Sequence, residues 1–104
     1  MIATGLALLE RQGHLEVRVL TDLTIRNASA VRLSVLSAWE DRGRPYPLVV
    51  DLTGARRIDS SGVAALLEIA HRTESAGAQL VLSGLNPLVR RMLDRMGLGF
   101  VFQY

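Results

Sequence analysis

The chain has 104 residues, 49% of them hydrophobic, and a formal charge of +2. That is the size of one ordinary domain with enough apolar material for a core, and the absence of cysteine excludes disulfides and thiolate metal sites. All twelve basic residues are arginines, spread along the chain apart from the pairs Arg56–Arg57 and Arg90–Arg91, and the aromatic content is only 5%, so the clustered basic face with stacking platforms that marks a nucleic-acid binder is not expected.

The opening MIATGLALLERQGHLEV lacks a basic n-region, and Gly5 and Glu10 interrupt its apolar run, so it does not read as a secretion signal. No stretch approaches the roughly 18 apolar residues of a membrane span. A soluble, cytoplasmic protein without membrane insertion is the expectation. Residues 4–11 and 14–25 then read as two strands around a Gln12–Gly13 turn, with Leu15, Val17, Val19, Thr21 and Leu23 on one side of the second. Residues 27–43 carry helical spacing at Ala28, Val31, Val35, Leu36 and Trp39, with Asn27 or Ser29 as cap and Gly43 as stop. LVVDL, 48–52, is a short β-branched run suited to a buried strand.

RIDSSGVAALLEIAH, 57–71, passes from a polar stop into a helical stripe of Val63, Leu66, Leu67 and Ala70. Glu68 and Arg72 stand at a favourable i,i+4 spacing, and Gly77 fits the position after the helix end. Residues 79–84 form another short strand. NPLVRRMLDRMG, 86–97, carries Asn86 as cap, Pro87 at the first helical position and Gly97 as stop, with Leu88, Val89, Met92, Leu93 and Met96 as its inner face. FVFQY, 100–104, is a last strand. The order ββαβαβαβ predicts an α/β fold: a mixed sheet with an N-terminal antiparallel hairpin and helices packed against it.

Sites in such sheets form where strands end and helices begin. The junction Asp59-Ser60-Ser61-Gly62 offers three cap candidates where one suffices. Unpartnered N–H groups and the helix dipole favour negative charge there, so a phosphate on a first-turn hydroxyl would be tolerated, and Gly62 is expected to keep the hydroxyl bare. A catalytic serine needs a base within reach, but the two histidines, His14 and His71, are remote in sequence; ten residues of helix separate His71 from Ser61, about 15 Å. The nucleophile-elbow pattern G-x-S-x-G and the lysine of a P-loop are both absent. No spacing supports a metal or cofactor, and no enzymatic reading stands out.

Residues 48–98, from LVVDL through IDSSG, AGAQL and NPLVRRML to GL, resemble the STAS domain of anti-sigma-factor antagonists. LTDLTIRNASAV, 20–31, is similar to that family's G-E-L-D-x-x-T-A segment. The resemblance implies one STAS domain over 1–104 that catalyses nothing. It implies a partner-switching regulator of transcription which, unphosphorylated, binds an anti-sigma factor that is also a serine kinase. The kinase phosphorylates the second serine of D-S-S-G, here Ser61, with Ser60 the lesser candidate, and a serine phosphatase restores it. Asp59, Ser60 and Gly62 are then the loop-orienting and partner-binding residues. The family's G-E-L-D aspartate falls on Thr24, and Asp22 stands two residues earlier as a possible substitute. LTI, 23–25, also resembles a second STAS branch, the small subunits that dock on the ATPase of ABC-type lipid transporters. The sequence stops at Tyr104 just after a strand, before the terminal helix many STAS domains carry, which suggests a trimmed C-terminus.

Overall fold

In the computed structural model, which describes residues 5–43 and 45–99, the first two strands are β1 (Leu6–Arg11) and β2 (His14–Val19), joined at Gln12–Gly13. They are followed by α1 (Ala28–Glu40), β3 (Leu48–Asp51), α2 (Ser60–Ser75), β4 (Leu80–Ser83) and α3 (Pro87–Arg95). The sheet order is β1-β2-β3-β4; the first pair is antiparallel and the next two are parallel. The register sets Leu15 against Leu48 and Leu48 against Leu80. The expected last strand, 100–104, lies outside the described residues.

The two successive crossovers run in one direction across the sheet; the right-handed rule for parallel β-α-β units sets α1 and α2 on one face, and the two helices pack against each other. Strand alternation follows: Leu15, Val17, Val19, Leu48, Val50, Leu80 and Leu82 are buried, while Glu16, Arg18, Val49, Asp51, Val81 and Ser83 point to the other face and are half-buried. The inner side of α1 is Ala28, Val31, Val35, Leu36 and Trp39, the five positions its periodicity picks out. Trp39 closes the core with its indole Nε1 donating to the Tyr46 carbonyl at 2.7 Å. The inner side of α2 is shifted from its expected stripe: Val63, Ala65, Leu66, Ile69, Ala70 and Thr73 are buried, and Leu67 only partly. Gly77, at φ +81°, ends the helix, with Gly77 N–H donating to Glu74 O and Ala78 N–H to Thr73 O.

Three expectations fail. The second strand ends at Val19, not Ile25, because residues 21–27 bond among themselves; Thr21 is exposed, and Leu23 pairs with Ile58 in an isolated parallel bridge outside the sheet. Glu68 and Arg72 do not pair along α2. Each reaches across to α1 instead, Glu68 to Arg32 at 3.3 Å and Arg72 to Glu40, so these charges tie the two helices together. Of the five expected inner positions of α3, only Val89 and Leu93 are buried, Met92 is partly so, and Leu88 and Met96 are 71% and 50% exposed.

The open sheet face carries an ion network in which Arg18 bonds Glu16 at 2.8 Å and lies 3.7 Å from Asp51, with Arg11 3.5 Å from Glu16. The bond from Arg18 holds the Glu16 carboxyl below its ordinary value. At Asp51, partial burial pushes the pKa up, but bonds from the Thr53 hydroxyl and N–H outweigh it and the net shift is downward. Asp51 thus ends β3 and turns the chain toward α2.

Candidate functional site

The loop entering α2 is fastened from three sides. Leu23 N–H donates to Arg57 O at 3.0 Å and Asp59 N–H donates to Leu23 O at 3.2 Å, a two-rung ladder between the segment after β2 and the segment before α2. The Asp22 carboxylate accepts from Arg57 N–H at 3.1 Å. From the side of α3, Asn86 Nδ2 donates to Arg56 O at 2.9 Å while its Oδ1 caps Val89 N–H at 2.9 Å.

Asp59 is the N-cap of α2. Its Oδ1 accepts from Gly62 N–H at 2.9 Å, and its Oδ2 accepts from Ile25 N–H at 3.0 Å. One carboxylate therefore closes the helix end and pins a loop 34 residues away. The bonds from Gly62 and Ile25, in that order, hold the Asp59 carboxyl below its ordinary value, so it stays ionised. Of the cap candidates at this junction, it is Asp59 that sits at the positive end of the helix dipole.

Gly62 serves packing, not exposure. It is buried, and a Cβ there would stand 2.4 Å from Leu23 O and 2.8 Å from Ile58 Cγ2. Only a residue without Cβ lets the carbonyl that accepts from Asp59 N–H lie this close to the helix. The expectation that Gly62 bares the hydroxyl is therefore wrong; its role is to let the loop close on α2.

Ser60 and Ser61 are the first two residues of α2. Ser60 is exposed, whereas Ser61 is half-exposed and opens on a cleft of about 240 Å³ between the start of α1 and the first turns of α2. Its neighbours there include Ile25, Ser29, Arg32, Ala64 and Glu68. Ile25 is 74% exposed, and Arg32 and Glu68 form the ion pair already described. The cleft is thus an open, partly apolar surface with one compensated pair of charges and two serine residues, Ser29 and Ser61. Ser61 is therefore not sealed beneath the core.

The remaining candidates sit around this point without lining it. Thr24 is half-buried in the turn before α1; its N–H donates to Asn27 Oδ1 at 2.9 Å, and its carbonyl accepts from Asn27 and Ala28 N–H. Asn27 occupies the N-cap position of α1, but its side chain makes no capping bond and instead ties Thr24, Thr21 and Asp22. Asp22 is exposed, accepts from the Arg57 N–H and does not line the cleft. Neither His14 nor His71 lines the cleft. Sequence reasoning missed Ile25 and Arg32; Glu68 reads from sequence as a solvated helix face bordering the docking surface, and it lines the cleft. Ile25 alone left a signal, an apolar residue closing a strand pattern.

No helix of the structure is long and apolar enough to cross a membrane. Among the described residues no three His, Cys, Asp or Glu side chains cluster as a metal site would require.

A family model for the STAS domain matches residues 6–104. No curated protein sequence gives a significant match. Among solved structures, a candidate anti-sigma factor antagonist of Thermotoga maritima superposes with a TM-score of 0.86 at 19% identity, over 94% of this chain and 83% of that one. The Bacillus cell fate determinant SpoIIAA in its phosphorylated form gives 0.71 at 18% identity, over 94% and 88%. The murine anion transporter Slc26a9 gives 0.74 at 23% identity, over 84% of this chain but only 14% of the transporter. At such identities the likeness is one of fold.

Proposed function

This chain belongs to the STAS domain family, and from that premise we propose that it is an anti-sigma-factor antagonist that switches partners through Ser61. Unphosphorylated, the Ser61 cleft docks on an anti-sigma factor with serine kinase activity, and a sigma factor is released. The kinase transfers the γ-phosphoryl group of its own ATP to Ser61 Oγ, and a serine phosphatase removes it. The chain supplies the acceptor and the docking face, in the cytoplasm, without catalysing a step. Asp59 and Gly62 hold the loop, Asp22 and Thr24 brace it, and Ser60 borders the acceptor.

The observation that carries this reading is the Ser61 side chain on an open cleft, at the first turn of a helix whose entry loop is rigidly bonded. The fold shared with a protein solved in a phosphorylated form supports it. A phosphoserine adds about −1.5 to −2 charges and three acceptor oxygens. At Ser61 that charge stands in the cleft with the Glu68 carboxylate and next to the ionised Asp59, with Arg32 as the one cation lining the cleft. A partner surface that fits the uncharged cleft must then desolvate or repel this charge. A hundredfold loss of affinity needs only about 2.7 kcal/mol, within reach of one misplaced buried charge.

The test is incubation with the cognate kinase and ATP, followed by mass spectrometry. Phosphate confined to Ser61 supports the switch, and Ser61 left unmodified while binding persists refutes it. A second reading is favoured by Ile25, whose 74% exposure at the cleft suits constant apolar docking. In that reading the chain is a non-switching subunit on the ATPase of an ABC-type lipid transporter, and Ser61→Asp leaves the complex intact.

A further inference from the structure

A second cleft, of about 470 Å³, lies between α3 and the segment entering α2. Its floor is apolar. Leu88, Met92 and Met96 follow one another at four-residue steps along α3, and Ile58 faces them from the loop. Leu88 is 71% exposed and Met96 50%, although the rest of the helix is well accounted for, with Val89 and Leu93 fully in the core. Four arginines border this floor: Arg56 and Arg57 from the loop, Arg91 and Arg95 from α3. All four are exposed, and none forms an ion pair among the described residues. The one acid of α3, Asp94, does not line the cleft. Arg11, Arg18, Arg32, Arg42 and Arg72, which form ion pairs, all lie elsewhere.

We infer that this cleft docks an acidic amphipathic helix of a partner protein. The ridge from Leu88 to Met96 spans nine residues, a rise of about 12 Å, which matches two to three turns of an apolar stripe laid alongside it. Methionine and leucine side chains adapt to such a stripe. Four unpaired guanidinium groups flanking the ridge complement carboxylates on both sides of that stripe. A small amphiphile fits less well. Its single head group needs one or two arginines, and ligand pockets bury most of their ligand, whereas the Leu88 and Met96 ends stand open to solvent. The cleft is separate from the Ser61 surface: no residue lines both.

The experiment titrates the full ¹⁵N-labelled chain with three probes. They are a designed helical peptide with a leucine/phenylalanine stripe flanked by glutamates, the same peptide with every glutamate changed to glutamine, and vesicles rich in phosphatidylglycerol. The inference predicts shifts confined to the amides of 56–58 and 88–96. It predicts at least tenfold weaker binding for the glutamine peptide, and the same loss in the Arg91→Glu/Arg95→Glu chain, whose fold is checked by its unchanged remaining spectrum. Leu88→Gln, at an exposed position, weakens binding equally, and Ser61→Asp leaves it unchanged, so failure here is distinct from failure of the switch. Absence of peptide binding, equal affinity for both peptides, or binding of vesicles alone overturns the inference. So do nuclear Overhauser contacts from residues 100–104 to Met92 in the free chain, which would assign the cleft to the chain itself.

Discussion

Gly62→Ala separates helix propensity from the packing of the site, because the two predict opposite signs. In an isolated helix, alanine is better than glycine by about 1 kcal/mol. In this chain the added Cβ meets Leu23 O at 2.4 Å and Ile58 Cγ2 at 2.8 Å, both closer than real Cβ contacts allow. The first of these is backbone, and it is held in place by the Asp59 N–H at 3.2 Å. Relief therefore requires the ladder between the two loops to open. Overpacking costs about 1–3 kcal/mol, and the strained bond about 1 kcal/mol more. After the propensity gain the net loss is about 1–3 kcal/mol, which for a domain of this size lowers Tm by roughly 5–20 °C. Urea and calorimetric melts of the two chains read this directly. A Gly62→Ala chain as stable as the parent, or more stable, would refute the claim that Leu23 packs on this glycine.

Other outcomes follow from single contacts. Asp59→Asn keeps a capping oxygen but loses the charge. Because the folded carboxyl is held low, its contribution is complete above the ordinary carboxylate range and is lost as pH falls through the lowered value. The stability gap between parent and Asp59→Asn is therefore widest near neutrality and closes below about pH 4, measured as urea midpoints across pH. Trp39→Phe leaves the Tyr46 carbonyl without its indole donor and lowers stability by about 1–2 kcal/mol, read by denaturant titration followed by circular dichroism. On the chain phosphorylated at Ser61, Arg32→Ala removes the one cation lining the cleft and raises the second pKa of the phosphate by up to about one unit, read by phosphorus NMR titration.

Much of the fold is legible in the sequence where local chemistry decides it. The five inner positions of α1, the Asn86-Pro87 start of α3 and Gly77 after α2 all stand where spacing and capping put them. What is lost is set by partners distant in sequence. Residues 20–25 keep the alternation of a strand, but nothing local reveals that Asn27 gathers Thr21, Asp22 and Thr24 into a turn. Glu68 and Arg72 have a helical neighbour at the right spacing, yet each finds a closer one on α1. The stripe of α3 is wider than one packing face, and periodicity cannot say which edge stays outside; Leu88 and Met96 did. At the site, Ser61 and Asp59 are conspicuous as a cap with a surplus hydroxyl. The second bond of Asp59, to Ile25 N–H, and the close approach of Leu23 to Gly62 are tertiary facts with no local trace.

The most direct measurement is the affinity of the cognate anti-sigma kinase for this chain in two forms, unmodified and carrying phosphate on Ser61 alone, by calorimetry at fixed salt. The switch predicts at least a hundredfold weaker binding for the phosphorylated form, with the parent affinity restored by phosphatase. Equal affinity of the two forms would contradict it.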